Sequence, residues 1–269
     1  MIAASLLIQF LLSFCFPFEK TSPAPVNPPE IPLLSKVIID AVLCSEYSYN
    51  DANQVIEERS KYEYIQHHYN TQHRIVSSDL YEDLSLASSS SNVIEAAQKR
   101  MEWISPLNSP RTNRRTYEYD EKGRLTRSSD NLGILTYQYD GKGRIWRQTF
   151  QQDKNISICI DFAYDRKGNV IKMSQLEINR SGVLHLLSTY EYEFDNKFNP
   201  YRAFKSLMIP GKNTNYNNIT KEIYTVYEMV DHPGGEKQIK KYSYEYNDKG
   251  YPVTMNKTTA FIYNQFPPH

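Results

Sequence analysis

The stretch Tyr117-Glu-Tyr-Asp-Glu-Lys-Gly-Arg-Leu125 decides the fold, because it recurs as Tyr137-Gln-Tyr-Asp-Gly-Lys-Gly-Arg-Ile145 and again as Phe162-Ala-Tyr-Asp-Arg-Lys-Gly-Asn-Val170. An internal repeat of this kind indicates a fold in which one small unit is stacked several times. Weaker copies become visible when the chain is aligned on the second aromatic residue. The seven anchors of this alignment are Tyr49, Tyr69, Tyr119, Tyr139, Tyr164, Phe194 and Tyr246.

Four columns around the anchor are nearly constant. Asn or Asp follows the anchor in every copy, and the residue two before it is Tyr or Phe in every copy except one, which has His67. The fourth position after the anchor holds Gly123, Gly143, Gly168, Gly250, Asn53, His73 and Phe198. The sixth position after it holds Val55, Ile75, Leu125, Ile145, Val170, Pro200 and Pro252.

These columns describe a β-hairpin. Aromatic residues two apart lie on one face of a strand. Asp or Asn favours the start of a turn, and the fourth position needs a residue that tolerates positive φ. A type I turn closed by such a residue gives a three-residue loop with a bulge. In that register Tyr119 faces Leu125 and Asp120 faces Arg124, so one face is apolar and the other pairs charges.

A single hairpin of this type cannot fold alone, because its three apolar side chains do not offset the entropy of ordering about twenty residues. We therefore predict an all-β fold, an antiparallel meander of about seven stacked hairpins that forms a curved open sheet or a partial spiral. One short helix is predicted as well. Asn92-Val-Ile-Glu95 has the spacing of a helix N-cap, and Val93, Ala97, Met101 and Ile104 share one helical face.

Composition limits the function. The 269 residues include 22 Tyr, and 31 Lys and Arg balance 31 Asp and Glu, so the formal net charge is zero. Nucleic acids and anionic surfaces need a basic excess, and neither is expected as a partner. The cysteines at 15, 44 and 159 have no metal-ligand spacing. Cys44 and Cys159 could pair in an oxidising compartment, which the sequence leaves open.

The first 32 residues predict export. Residues 1–18 are an apolar run too short to span a bilayer comfortably, as in a signal peptide or lipoprotein leader. Leu12-Ser13-Phe14-Cys15 resembles a bacterial lipobox with Phe14 off the pattern, which predicts lipidation at Cys15. Residues 19–32 form a Pro-rich tether, and residues 33–269 form the β domain. A plain secretory signal and a buried or miscalled N-terminus remain alternatives.

The repeated residues Tyr117 to Leu125 and Tyr137 to Ile145 resemble the YD repeat of RHS and teneurin-type proteins, over roughly residues 47–262. With its leader and tether, the chain is similar to short YD-repeat lipoproteins of Bacteroidota. The resemblance implies an outer-membrane-anchored lipoprotein that faces the periplasm or the cell surface. In large toxin relatives such hairpins enclose a C-terminal effector. Here Phe261-Ile-Tyr263-Asn264 starts another copy soon after Pro252, so no effector is expected.

The residues that could carry chemistry already have places in the repeat. His67, His68 and His73 invite a metal site, but His67 occupies the aromatic column and His73 the turn column. Asp120, Asp140, Asp165 and Asp195 are turn residues. His232-Pro-Gly-Gly235 lacks an accompanying GxSxG motif. We therefore expect no enzyme activity, no metal and no cofactor.

The function predicted from the sequence is that of a non-catalytic structural or binding protein of the cell envelope, and a monomer. Its partners would be a glycan or an envelope protein, with the membrane reached through the N-terminal lipid anchor. The candidate ligand-binding residues are the tyrosines outside the repeat columns: Tyr201, Tyr216, Tyr224, Tyr227 and Tyr251. The alternative is an envelope hydrolase with its site in the insertions at 76–113 or 205–240.

Overall fold

The computed structural model describes residues 31–60, 63–82, 106, 109–153, 156–179, 181–227 and 236–264. The predicted leader, Cys15, most of the tether and the helix predicted over residues 92–104 lie outside the described residues. The strands are β1 (Leu33–Ile39), β2 (Val42–Tyr49), β3 (Val55–Ser60), β4 (Glu63–Tyr69), β5 (Ile75–Glu82), β6 (Arg111–Tyr119), β7 (Leu125–Asp130), β8 (Gly133–Tyr139), β9 (Ile145–Asp153), β10 (Ile156–Tyr164), β11 (Val170–Ile178), β12 (Leu184–Phe194), β13 (Ile219–Val226), β14 (Glu236–Lys241), β15 (Tyr244–Tyr246), β16 (Pro252–Met255) and β17 (Thr259–Asn264).

All 17 strands belong to one sheet, and every ladder is antiparallel. The ladders join β15 through β17 to β1, and then β1 through β14 in chain order. No ladder in the described strands joins β14 to β15, so the sheet is open and not closed into a barrel. These two end strands follow one another in the chain, separated by Tyr242 and Ser243. The predicted antiparallel meander of stacked hairpins is confirmed.

The predicted turn is present in the regular copies. Tyr119 pairs with Leu125 across β6 and β7. The Asp120 N–H donates to the Arg124 carbonyl at 2.9 Å, and the Gly123 N–H donates to the Asp120 carbonyl at 2.9 Å. This is a three-residue loop whose last residue, Gly123, has φ +78°. Positive φ occurs at the same column in six copies: Asn53, His73, Gly123, Gly143, Gly168 and Gly250.

An eighth hairpin is assembled from the two ends of the described chain. Tyr263 of β17 pairs with Leu34 of β1, in the register that joins Tyr119 to Leu125 in a regular copy. Leu34 is fully buried, like the sixth-column residues Val55 and Ile75. The copy that starts at Phe261 is therefore completed by β1, which the repeat alignment does not include.

Successive hairpins are joined by what we call the tyrosine clasp, in which an anchor Tyr hydroxyl donates to a backbone carbonyl of the preceding hairpin. The acceptor is the sixth-column residue. The clasps are Tyr49 to Leu34 (2.6 Å), Tyr69 to Val55 (2.8 Å), Tyr119 to Ile75 (2.8 Å), Tyr139 to Leu125 (2.7 Å), Tyr164 to Ile145 (2.5 Å) and Tyr263 to Pro252 (2.8 Å). Much of the tyrosine excess is therefore explained by contacts between repeats.

The sixth hairpin, anchored at Phe194, departs from the predicted alignment. Phe194 pairs with Ile219, and the Asp195 N–H donates to the Asn218 carbonyl at 3.1 Å. Residues 196–217 therefore replace the three loop residues of a regular copy, and we call them the insertion. Assigning Phe198 to the fourth column and Pro200 to the sixth was wrong. Ile219 holds the sixth position, and the Tyr224 segment lies in the second strand of this hairpin.

The insertion packs against the face of the sheet that carries the aromatic column. It contains the one short helix of the described residues, a 3₁₀ helix at Pro200–Leu207 that begins after the N-cap Asn199. Phe204 is fully buried, and its ring lies edge-on to Tyr47 with the ring centroids 4.8 Å apart. The Ser206 hydroxyl lies 3.1 Å from that of Tyr69. The sheet thus has one short helix beside it in the described residues, within a loop of the sixth hairpin, and this is not the helix predicted over residues 92–104.

Buried asparagines hold the insertion to β11. Asn169 Oδ1 accepts hydrogen bonds from the N–H groups of Tyr216 (2.8 Å) and Asn217 (2.9 Å). Asn215 Oδ1 accepts from the Val170 N–H at 2.7 Å. Because these side chains are buried and satisfied by backbone groups, they fix the path of the insertion.

Candidate functional site

Two cavities lie where the insertion meets this face of the sheet. The first, of about 490 Å³, borders residues 199–219, and we call it the insertion cavity. The second, of about 360 Å³, lies between β3 to β9 and residues Leu207 to Ile209, and we call it the histidine cavity. Both volumes fall in the range of small-ligand pockets.

Aromatic and apolar side chains form most of the insertion cavity. They come from strands far apart in the chain, including β1, β10, β12 and β17. The lining includes Val37, Phe162, Tyr192, Tyr201, Tyr244 and Phe261. Faces of this kind bind flat apolar surfaces, and tyrosine adds a polar tip.

A few polar groups enter the insertion cavity. Lys212 Nζ lies 5.3 Å from the centroid of the Tyr201 ring, and Glu222 reaches the cavity from β13. Asn218 donates from Nδ2 to Asp195, but its buried Oδ1 has no hydrogen-bond partner in the described structure. An unsatisfied buried acceptor is costly, and Asn218 is one of the residues that line the cavity.

The histidine cavity contains a hydrogen-bonded row of side chains from three neighbouring hairpins. His67 Nε2 lies 3.1 Å from Glu58 Oε1, and His67 Nδ1 lies 2.8 Å from Ser78 Oγ. Ser78 Oγ also lies 3.0 Å from the Tyr117 hydroxyl. His67 and Ser78 are 6% and 7% exposed, so the row is largely shielded from bulk water.

The charges around His67 favour an ionised Glu58. Burial raises the pKa of the Glu58 carboxyl, but its hydrogen bond with His67 and the positive charge of Lys212 outweigh burial and hold the pKa below its usual range. Burial raises the pKa of the Tyr117 phenol, which therefore stays protonated and able to donate. An ionised Glu58 only accepts, so Nε2 of His67 carries the proton in this contact, and in the neutral imidazole Nδ1 is then an acceptor for Ser78.

An ion pair and an apolar wall complete this cavity. Arg115 donates from Nε and Nη2 to Asp130 Oδ2 at 2.9 and 2.6 Å. Leu207, Met208 and Ile209 of the insertion region face the sheet residues across the cavity. The arrangement combines a nucleophile, a base and an acid with room for an apolar group.

The five candidate tyrosines are dispersed. Tyr201 lines the insertion cavity. Tyr251 is buried against Phe198, and Tyr224 stacks on Tyr190 with ring centroids 4.5 Å apart. Tyr216 is 39% exposed under Arg202, and Tyr227 is exposed after the end of β13. The fold does not bring these five side chains together into one surface.

The three histidines are likewise separated by their roles. His67 lies in the row described above, His68 Nε2 lies 3.1 Å from Asp79 Oδ2, and His73 occupies its turn with φ +58°. Among the described side chains, no group of three His, Cys, Asp or Glu is placed to hold a metal ion. Cys44 and Cys159 are free thiols. No helix in the described ranges has the length and apolar character needed to cross a membrane.

The Glu58, His67 and Ser78 row was missed by sequence reasoning. The signal was the single exception in the aromatic column, where His67 stands in place of Tyr or Phe. Ser78 and Glu58 each occupy the ninth position after an anchor, and Ser128 does so in a third copy. Recognising that this ninth column faces the aromatic column would have identified the row.

Comparisons with known proteins support the repeat assignment. Residues 119–149 match the family model described as RHS Repeat. The prediction of a YD-type, or RHS, repeat is therefore confirmed, and the same hairpin geometry continues on both sides of the matched residues. A search of curated sequences returns no match.

Solved structures from Bacteroides share only a distant likeness. A porin-like protein from Bacteroides vulgatus is 11% identical, with 87% of this chain and 100% of that chain covered and a TM-score of 0.46. A porin-like protein from Bacteroides uniformis is 13% identical, with 86% and 96% covered and a TM-score of 0.41. A Bacteroides fragilis protein of unknown function is 9% identical, with 66% and 91% covered and a TM-score of 0.21. All three TM-scores are below 0.5, so no functional conclusion follows.

Proposed function

We propose that this RHS-repeat chain is an exported binding protein of the cell envelope that holds a small glycan unit in the insertion cavity. The observation that carries the proposal is the buried, unpartnered Asn218 Oδ1 at a cavity lined by Tyr192, Tyr201 and Tyr244. A sugar suits both the tyrosine lining and the amide acceptor, because its C–H faces pack on aromatic rings and its hydroxyls donate to amide oxygens.

The size of the cavity favours a glycan unit over an envelope protein. A volume of about 490 Å³ accommodates a small molecule, whereas a stable protein partner needs a broad surface of roughly 800 Å² per partner. The repeat hairpins act as the rigid frame, and the insertion supplies one wall of the cavity. The proposal assigns no reaction and no cofactor to this cavity.

A calorimetric screen of mono- and disaccharides against short peptides tests the proposal. We expect a sugar to bind, and Glu222→Gln to weaken that binding about tenfold through loss of a charged hydrogen bond. Glu193→Gln is the matched control, because Glu193 lies on the outer face of neighbouring β12 and pairs with Lys221. Absence of binding by every sugar below about 1 mM, or equal weakening in both variants, would contradict the proposal.

Anchoring to the outer membrane through Cys15 is a separate part of the proposal. It is supported by the apolar run at residues 1–18 and the prolines that follow. Cells grown with a clickable fatty acid should label the protein, and Cys15→Ser should abolish the label. An unlabelled wild-type protein would refute lipidation. We expect the released β domain to elute as a monomer in size-exclusion chromatography.

The alternative of an envelope hydrolase is favoured by one specific observation. Ser78 lies within residues 76–113, Leu207 to Ile209 lie within residues 205–240, and both segments border the histidine cavity. The insertion cavity and the histidine cavity therefore call for separate experiments.

A further inference from the structure

The aromatic column contains one residue that the repeat does not require. In six copies Tyr or Phe stands two residues before the anchor, while the seventh has His67. Ser78 bonds the Tyr117 hydroxyl at 3.0 Å, and Ser128 bonds the Tyr137 hydroxyl at 2.9 Å, which is the corresponding contact one hairpin further on. A Ser–Tyr contact is therefore enough to join neighbouring hairpins at this position. Stacking of the hairpins does not require a histidine at position 67.

Glu58 is the residue that His67 contacts in the preceding hairpin. It occupies the same ninth column as Ser78 and Ser128, where a buried carboxylate is costly unless it is paired. Its partner is His67 Nε2, at 3.1 Å. The one exception in the aromatic column thus contacts a carboxylate of the neighbouring hairpin.

The contacts of the row fit one set of hydrogen-bond directions. With the His67 proton on Nε2, which donates to Glu58, Nδ1 accepts from the Ser78 hydroxyl, and Ser78 Oγ is left to accept from the Tyr117 hydroxyl. A serine hydroxyl that donates to an imidazole, which in turn donates to a carboxylate, is the arrangement that activates a serine nucleophile. The row borders a cavity of about 360 Å³ with apolar walls.

We propose that Ser78, His67 and Glu58 form an acyl-transfer site that hydrolyses esters of short acyl chains. Ser78 Oγ bonds to the ester carbonyl carbon while its proton passes to His67 Nδ1. The C–O bond to the alcohol breaks, and the leaving oxygen takes that proton. Water then attacks the acyl–Ser78 ester, its proton again passes to His67, and Ser78 is released with its proton restored as the carboxylic acid departs.

The surrounding residues define the substrate. Ile65, Leu80, Leu135 and Met208 line the cavity and accommodate an apolar acyl chain. Arg115 is neutralised by Asp130, so the cavity offers no free cation for a charged acyl group at that point. The Tyr117 hydroxyl, next to Ser78, is placed to donate to the oxygen that becomes negative during attack.

The test uses a fluorophosphonate probe and p-nitrophenyl esters from acetate to octanoate on the purified chain. Wild-type protein should form an Oγ–P adduct at Ser78, located by mass spectrometry, and should hydrolyse the shorter esters above a mock-purified background. Ser78→Ala should remove the adduct and lower turnover at least about a hundredfold. Ser128→Ala is the matched control and should leave both unchanged.

His67→Tyr distinguishes chemistry from folding, because it restores the aromatic residue of the other copies. We expect this variant to keep its melting temperature within a few degrees and to lose at least about a hundredfold in turnover, as for removal of a general base. An unmodified Ser78 peptide in folded wild-type protein overturns the proposal, and so does hydrolysis that persists in Ser78→Ala. Neither result bears on sugar binding in the insertion cavity.

Discussion

The regular hairpins and the sixth hairpin are built on one plan and differ in a single loop. Tyr119 and Leu125 are joined by a three-residue turn, whereas Phe194 and Ile219 are joined by the insertion. The anchor hydroxyl of a regular copy bonds the preceding hairpin, but Phe194 has no hydroxyl, and the next copy bonds Ile219 through Tyr244 at 2.9 Å. Stacking thus tolerates a large loop, and that loop creates both cavities.

The largest expected effect tests whether the insertion is part of the core. Phe204 is fully buried among Tyr47, Tyr49 and Tyr201. Phe204→Ala should lower the free energy of unfolding by about 4 kcal/mol, as expected for a large cavity at a core aromatic residue. Urea denaturation measures the loss. A loss below about 1 kcal/mol would mean that the regular hairpins fold independently of the insertion.

The second-largest expected effect distinguishes the regular hairpins from the insertion by the pH dependence of the free energy of unfolding. Asp79 in β5 is buried, and hydrogen bonds from Arg114 lower the pKa of its carboxyl to about 2, despite the opposing effect of burial. Because the folded-state pKa lies below the ordinary value, this stabilisation is present above about pH 4 and is lost as pH falls toward 2.

Asp79→Asn should therefore lower the free energy of unfolding by about 2 kcal/mol at pH 6, and the difference from wild type should shrink toward pH 2. Asn217→Ala is the comparison in the insertion. Its side chain donates to the Lys197 carbonyl at 2.8 Å and accepts from Asn169, and amides do not titrate in this range. Asn217→Ala should lower the free energy of unfolding by the same amount at pH 6 and at pH 3. Parallel pH profiles for the two variants would contradict this assignment.

The third expected effect tests the requirement for positive φ in the turn of a regular hairpin. Gly143 has φ +76° and open space where the side-chain carbon of an alanine would lie, so Gly143→Ala adds backbone strain without a clash. We expect a loss of about 1 to 2 kcal/mol. Gly141 in the same turn also has open space but no positive φ, and Gly141→Ala should change stability by less than about 0.5 kcal/mol. Equal losses would show that positive φ is not what the fourth column requires.

The repeat pattern predicted most of the fold because each hairpin is specified locally. Anchor, turn and sixth-column residues lie within nine positions, so Tyr119 against Leu125 could be derived without tertiary information. The insertion could not, because Phe198 and Pro200 fall where column residues were expected, and only the pairing of Phe194 with Ile219 reveals the longer loop. β1 was missed for a similar reason, since its partner β17 lies at the other end of the described chain.

The candidate sites were less predictable than the fold. The cavities are formed by side chains from strands that the sequence separates by a hundred residues or more, such as Val37 and Phe162. His67 was assigned to its column correctly, but its contacts with Glu58 and Ser78 depend on how neighbouring hairpins align. The alignment between hairpins depends on the tyrosine clasp. Because the clasp joins residues of two hairpins, it cannot be derived from the sequence of one copy.

The smallest expected effect comes from replacing a regular Tyr anchor by Phe, the anchor residue of the sixth hairpin. Tyr139→Phe removes the hydroxyl that donates to the Leu125 carbonyl and keeps the ring beneath Arg124, whose guanidinium lies 5.0 Å from the ring centroid. We expect a loss of about 1 kcal/mol, the value of one hydrogen bond. Tyr244→Phe, which removes the bond to the Ile219 carbonyl, should lose a similar amount in chemical denaturation. A stable Tyr139→Phe beside a destabilised Tyr244→Phe would mean that ring packing holds the regular copies together, and that the hydroxyl clasp matters only where the insertion has lengthened the turn.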